Sequence, residues 1–116
     1  MLKWMDLDSR EAVDSLAALS RDIPCIILKH SSSCNLSAIA RYRLETDWDF
    51  EPTAMQAFLV SVQEQRDVSR YISEKFQVFH ESPQLLLIRD GECTYEASQL
   101  EINVDDLREC YQEKPW

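Results

Sequence analysis

The sequence has few basic residues, a single glycine and no apolar stretch long enough to cross a membrane. Its 12 lysine and arginine residues stand against 21 acidic residues, which gives a net charge of -9. Because nucleic acids and anionic membrane surfaces attract mainly lysine and arginine, this charge argues against both as partners. The start of the chain lacks the long apolar segment of a signal peptide, so we expect a cytoplasmic protein.

Residues that commonly bind metals are also scarce. The chain has four cysteines and two histidines, and the positions of Cys25, Cys34, Cys93 and Cys110 contain no C-x-x-C pair. A zinc site is therefore poorly supported. In a chain without an export signal, cysteines are expected to be reduced thiols and not a disulfide framework.

The remaining composition is that of a folded domain. With 116 residues, of which 45% are hydrophobic and 28% charged, the chain suits a single domain over residues 1–116 with a real core. The apolar pattern predicts a helix, a β-α-β unit, a helix, a β-hairpin and a short last helix, in this order. The predicted helices begin near Asp8 or Ser9, Cys34, Asp67 and Asn103; the predicted strands cover residues 24–29, 55–62, 84–88 and 92–98; residues 113–116 are expected to fray.

The predicted hairpin contains the one glycine. Asp90 and Gly91 fit a two-residue type I′ turn, which requires positive φ at both positions. In the strand that follows, Cys93, Tyr95 and Ala97 alternate with polar residues and are expected to face inward together.

Cys34 stands where the buried strand is expected to end and a helix to begin. The first N–H groups of a helix have no intrahelical partners and, with the helix dipole, favour a negative charge such as a thiolate. Ser33 can serve as the N-cap. Ser37 stands three residues after Cys34, where a dithiol motif would carry its second cysteine, so the motif is C-x-x-S. The alternative is that Cys34 is an inert small residue at a strand end.

The neighbours of Cys34 can affect its ionisation. The Ser37 hydroxyl could donate to the thiolate and Ser33 could shape the approach, although serines at a helix start are often plain caps. Lys29 and His30 are close enough in sequence to raise the positive potential at the sulfur and lower its pKa. For the other thiols we expect packing roles: Cys25, Cys93 and Cys110.

Three segments resemble one family. Residues 30–37, His-Ser-Ser-Ser-Cys-Asn-Leu-Ser, resemble the active-site segment of the YtxJ-type bacilliredoxins, thioredoxin-like proteins of bacteria that use bacillithiol. Residues 66–78 are similar to their third helix, and residues 80–84, His-Glu-Ser-Pro-Gln, to the turn that follows it. The resemblance extends from the first predicted strand to about Ile102. After the cysteine, where the family usually has proline, this chain has Asn35.

The order of the predicted elements is that of the thioredoxin fold. The resemblance and this order together imply a thioredoxin-like α/β fold, with a four-stranded mixed sheet, helices on both faces and an extra N-terminal helix. The resemblance also implies that Pro83 is a cis-proline facing the active site, and that Ser82 offers backbone hydrogen bonds to a bound substrate.

The function implied by the resemblance is thiol–disulfide exchange that removes bacillithiol from protein mixed disulfides. Bacillithiol would be a co-substrate, with no other cofactor, and the partners would be bacillithiolated proteins and a low-molecular-weight thiol. A thioredoxin-like binding module without redox turnover is the alternative. Iron–sulfur carriage, as in C-G-F-S glutaredoxins, is disfavoured because Asn35-Leu36 replaces Gly-Phe. The predicted site has Cys34 as the nucleophile, with Ser33, Asn35, Ser37, Ser82 and Pro83 binding substrate or stabilising the thiolate.

Overall fold

A computed structural model describes residues 2–112, which form a mixed sheet with helices on both faces. The predicted tail at residues 113–116 lies outside the described residues. No helix within residues 2–112 is long and apolar enough to span a membrane. The strands are β1 (Trp4–Asp6), β2 (Cys25–His30), β3 (Gln56–Ser61), β4 (Gln84–Arg89) and β5 (Glu92–Ser98); the helices are α1 (Arg10–Leu19), α2 (Asn35–Asp47), α3 (Arg66–Phe76) and α4 (Val104–Gln112), with a 3-10 turn at Gln99–Glu101 before α4.

The sheet has five strands in the order β1-β3-β2-β4-β5, so the prediction of four strands was wrong. The additional strand is β1, which pairs in parallel with β3 from Trp4 opposite Ala57 to Asp6 opposite Leu59. The N–H of Leu7 continues this pairing by donating to the carbonyl of Leu59 over 2.9 Å. Three residues are too few to show a strand period, so this strand is defined by its neighbour and not by its own sequence.

The central strand is β2, as its continuous apolar character predicts. It runs parallel to β3 and antiparallel to β4. Because Lys29 is paired with Gln84, the start of β4 lies beside the end of β2. The Ser82-Pro83 segment and the segment leading to Cys34 are therefore at the same edge of the sheet.

The core consists of two apolar clusters, one on each face of the sheet. Helices α1 and α3 cover one face and α2 and α4 cover the other. The buried helical side chains on the first face are Val13, Leu16, Val68, Ile72 and Phe76, and those on the second are Ala40, Leu44, Val104 and Leu107.

The hairpin turn forms as predicted, but the strand after it does not alternate regularly. Asp90 and Gly91 have φ values of 52° and 78°, as a type I′ turn requires. An irregularity in the β4–β5 pairing then shifts the register, so that Cys93 packs with the α1 and α3 cluster while Tyr95 packs with the α2 and α4 cluster. The expectation that both face the same side was wrong, because a β-bulge changes which residues share a face.

The starts of α1 and α4 agree with the sequence, whereas the start of α3 differs from the prediction. The Ser9 side chain accepts a hydrogen bond from the N–H three residues on, at 3.0 Å, and Asn103 does the same at 2.8 Å. Helix α3, however, has Gln65 as its N-cap, and the predicted cap Asp67 lies inside the first turn. There the Asp67 carboxylate accepts two hydrogen bonds from Arg10, at 2.6 and 2.9 Å.

Candidate active site

Cys34 lies at the junction of β2 and α2, where the sequence predicts it. It is partly exposed and is itself the N-cap of α2, with extended backbone angles of φ -111° and ψ 122°. The prediction that Ser33 is the N-cap was therefore wrong by one residue. The Ser33 hydroxyl instead lies 3.3 Å from the Ser31 hydroxyl and accepts a hydrogen bond of 2.6 Å from the Gln63 side-chain amide.

The pKa of Cys34 is lowered from its ordinary value. The largest cause is hydrogen bonding from the backbone N–H of Ser37, followed by that of Leu36, and the Ser37 side chain makes a smaller contribution in the same direction. Desolvation of the thiol opposes this shift only in part. The amides at the start of α2 thus favour the thiolate over the thiol.

Ser37 holds its position through the loop before Cys34. Its side chain is fully buried, and its oxygen accepts a hydrogen bond of 3.1 Å from the N–H of Ser31. A hydroxyl that accepts from one side retains its own proton for donation. The Ser37 hydroxyl can therefore donate to the Cys34 sulfur while it ties the loop to the helix.

Lys29 and His30 do not act on Cys34 in the way that their sequence positions suggest. The Lys29 side chain is fully buried, and its ammonium is 2.6 Å from the Ser73 hydroxyl and 3.2 Å from Nδ1 of His80. Neither Lys29 nor His30 is among the groups that shift the pKa of Cys34. The predicted contribution of these two side chains was wrong, because strand β2 directs Lys29 toward α3.

The Ser82-Pro83 peptide bond is cis. The carbonyl of Pro83 accepts a hydrogen bond of 3.1 Å from Gln99. Among residues 2–112, no backbone group pairs with the N–H or carbonyl of Ser82, and its buried hydroxyl also has no partner. Ser82 thus has hydrogen-bonding groups available at the sheet edge that also carries Cys34.

Cys25 and Cys93, like Cys34, are free thiols. Burial raises the pKa of Cys25 to about 12 and that of Cys93 to about 11. Cys25 belongs to the core under α1 and α3, Cys93 packs against it, and Cys110 packs against the opposite cluster. These positions agree with the predicted packing roles.

Gln63 is a site residue that the sequence does not predict. Its side-chain oxygen accepts hydrogen bonds from the N–H and hydroxyl of Ser32, at 3.0 and 2.9 Å, while its nitrogen donates to Ser33. Gln63 follows β3, and the pairing of His30 with Ser61 brings the ends of β2 and β3 together. The rule that parallel strands end at one edge of a sheet could have identified it.

Asn35 is exposed in the first turn of α2, directly after Cys34. The structure thus brings all the predicted site residues to one edge of the sheet.

Within residues 2–112, no group of three or more His, Cys, Asp or Glu side chains is arranged to hold a metal ion.

Comparison with known families identifies the chain. The family model described as monothiol bacilliredoxin BrxC matches residues 5–107. The chain belongs to the monothiol bacilliredoxin family. The single cysteine of its C-x-x-S motif at the start of α2 agrees with the monothiol description.

Solved structures agree with this assignment. One, suggested to be an oxidoreductase with a thioredoxin fold, is 29% identical, with 94% of each chain covered and a TM-score of 0.79. A thioredoxin from Malassezia sympodialis is 11% identical, with 100% of this chain and 94% of that one covered and a TM-score of 0.75. A thioredoxin variant from Halobacterium salinarum is 21% identical, with coverages of 97% and 93% and a TM-score of 0.69. This monothiol bacilliredoxin therefore has the thioredoxin fold, and its family and neighbours support a thiol–disulfide redox function.

Proposed function

We propose that this bacilliredoxin removes bacillithiol from protein mixed disulfides through Cys34. The observation that carries the proposal is the position of the Cys34 sulfur at the start of α2, partly exposed, with the N–H groups of Ser37 and Leu36 lowering its pKa. A thiolate that solvent can reach is the reactive species in thiol–disulfide exchange. The family match supports bacillithiol as the small thiol.

The reaction is an exchange of disulfide bonds without net oxidation. The Cys34 thiolate attacks the bacillithiol sulfur of the mixed disulfide, and a new bond forms between these two sulfurs. The bond between bacillithiol and the target breaks, and its electron pair leaves on the target cysteine, which takes a proton from water. A second low-molecular-weight thiolate then attacks the bacillithiol sulfur on Cys34 and releases the Cys34 thiolate together with a small disulfide.

The surrounding residues have separate roles in this proposal. Ser37 stabilises the thiolate, and Ser33, held by Gln63, shapes the approach to it. The unpaired backbone groups of Ser82, next to Pro83, pair with an extended segment of the target. Asn35 is exposed beside the sulfur, where it can contact the bound thiol.

A transfer assay tests the proposal. A target protein carrying one bacillithiol is mixed with the wild-type chain, and intact masses of both proteins are followed with time. We expect one bacillithiol to leave the target and to appear on the wild-type chain but not on Cys34→Ser, whereas a matched variant, Cys110→Ser, behaves like wild type. Equal removal by Cys34→Ser would overturn the proposal. Binding of the target without any transfer would instead identify a binding module.

A further inference from the structure

A cavity of about 430 Å³ lies between the loop after β3 and the exposed side of α3. It is open to solvent, and Cys34 is not among the described residues that line it. Its lining includes Gln63, Arg66, Ser69, Arg70, Ser73 and His80.

The lining of the cavity is basic, although the chain as a whole carries a net charge of -9. Arg66 and Arg70 are exposed and stand one turn apart on α3, so both guanidinium groups can reach one ligand. Among residues 2–112, no carboxylate lines the cavity. The nearby Asp67 is paired with Arg10, and Glu81 is next to His80 in the sequence. The cavity is therefore suited to an anion.

Ser69 supplies a hydrogen-bonding group that has no partner. The residue is 4% exposed, it lines the cavity, and its hydroxyl has no hydrogen bond within residues 2–112. A buried hydroxyl without a partner destabilises the folded protein. A ligand oxygen in the cavity would remove this cost.

Lys29 places a further positive charge behind the cavity wall. Its ammonium is hydrogen-bonded to the Ser73 hydroxyl and close to Nδ1 of His80, and both of these residues line the cavity. No ion pair among residues 2–112 includes Lys29, and burial lowers its pKa to about 8, a shift that Glu96 opposes only in part. A buried charge of this kind is stabilised by an anion nearby.

Gln63 connects the cavity to the proposed active site. It lines the cavity, and its side chain holds Ser32 and Ser33, the two residues before Cys34. The cavity therefore borders the loop that leads to Cys34, and Arg66 and Arg70 belong to the same lining.

We propose that this cavity binds a carboxylate of the small thiol while its sulfur lies at Cys34. The proposal rests on the proposed function, and it adds that the thiol substrate is anionic. Bacillithiol fits this description, because its malyl group is a dicarboxylate. Arg66, Arg70 and the Ser69 hydroxyl contact the carboxylate, and Lys29 stabilises its charge through Ser73 and His80.

Binding of malate to the reduced protein tests the cavity without any reaction at Cys34. We expect the backbone amide NMR signals of Gln63, Ser69 and Ser73 to shift on titration with malate. Arg66→Gln and Arg70→Gln should each weaken this binding roughly two- to fivefold, as the loss of one exposed ion pair does. Arg21→Gln, which removes the same charge outside the cavity, should not weaken it. Unchanged signals, or equal affinity in all the variants, would overturn the proposal.

A comparison of two small thiols, each bound by a disulfide to the same target protein, identifies the source of the carboxylate. The target is capped either with bacillithiol or with uncharged 2-mercaptoethanol, and transfer to Cys34 is timed. The double variant Arg66→Gln/Arg70→Gln should slow transfer of bacillithiol roughly three- to tenfold and leave the neutral cap unaffected. Equal slowing of both caps would assign the carboxylate to the target and overturn the proposal, as would no slowing of either. Malate binding in the cavity without transfer to Cys34 would support the cavity as an anion site and contradict the exchange function alone.

Discussion

The N–H of Ser31 donates a hydrogen bond of 3.1 Å to the hydroxyl of Ser37, and this contact joins the loop before Cys34 to the helix after it. Both residues are buried. The Ser37 hydroxyl that accepts this bond also helps to lower the pKa of Cys34. One side chain therefore supports both the shape of the loop and the charge of the sulfur.

Ser37→Ala should affect both properties. Leaving the Ser31 N–H without its partner should lower the free energy of unfolding by about 1–2 kcal/mol. Loss of the hydroxyl should raise the pKa of Cys34, which a pH titration of thiolate absorbance measures. Ser33→Ala is the control, because the Ser33 hydroxyl contacts Ser31 and Gln63 and does not act on the sulfur. An unchanged pKa in Ser37→Ala would contradict the role of Ser37.

Cys34, Cys25 and Cys93 should differ in their reaction with iodoacetamide at neutral pH. Cys34 is partly exposed and its pKa is lowered, whereas burial raises the pKa of Cys25 to about 12 and that of Cys93 to about 11. Alkylation requires the thiolate, so Cys34 should be modified well before Cys25 and Cys93. Peptide mass mapping during a short exposure measures this order. Modification of Cys25 ahead of Cys34 would show that the sulfur at the helix start is not activated.

The location of Cys34 is predictable from sequence because it depends on local signals. A continuous apolar run ends shortly before it and a helical pattern begins after it, so the β2–α2 junction is visible without a structure. The turn at Asp90 and Gly91 is equally local, since its residue types and φ values agree. The N-cap of α2 is Cys34 and not the predicted Ser33. Helix boundaries predicted from sequence are uncertain by one or two residues, because neighbouring positions at a helix start have similar sequence preferences.

The features that the sequence does not predict depend on contacts between distant elements. Strand β1 exists because β3 pairs with it, and Gln63 joins the site because the ends of β2 and β3 meet. The β-bulge that separates Cys93 from Tyr95 arises in the pairing of β4 with β5. The burial of Lys29 under α3 likewise follows from the packing of the sheet. None of these has a periodic signal of its own.

Lys29 should make stability depend on pH in the alkaline range. Burial lowers its pKa to about 8 in the folded protein, against an ordinary value of 10.5 in the unfolded chain. Between these values the unfolded state retains the proton that the folded state has lost, so the contribution of Lys29 to stability rises with pH. Relative to Lys29→Met, the wild-type protein should gain roughly 1–3 kcal/mol between pH 8 and pH 10, measured by urea unfolding. A constant difference would show that Lys29 titrates normally.

Gly91 should be needed for the β4–β5 turn. Its φ of 78° disfavours a residue with a Cβ, although the nearest atoms to such a Cβ are 3.9 Å away and leave room for it. Gly91→Ala should therefore lower the free energy of unfolding by about 1–2 kcal/mol through backbone strain alone. Asp90→Asn, at the other turn position, should change it little because asparagine tolerates positive φ. Equal stability of Gly91→Ala and wild type would contradict the strain.

We propose that Cys34 forms a mixed disulfide with bacillithiol as a thiolate stabilised by the start of α2. Intact-mass measurement after exposure to oxidised bacillithiol, repeated over a range of pH, tests it most directly. We predict one added bacillithiol on the wild-type chain, which reductant removes, and none on Cys34→Ser. Because the pKa of Cys34 is lowered, this mixed disulfide should form completely at a pH below the ordinary pKa of a cysteine. Equal addition to both chains, or addition only at strongly alkaline pH, would contradict the account.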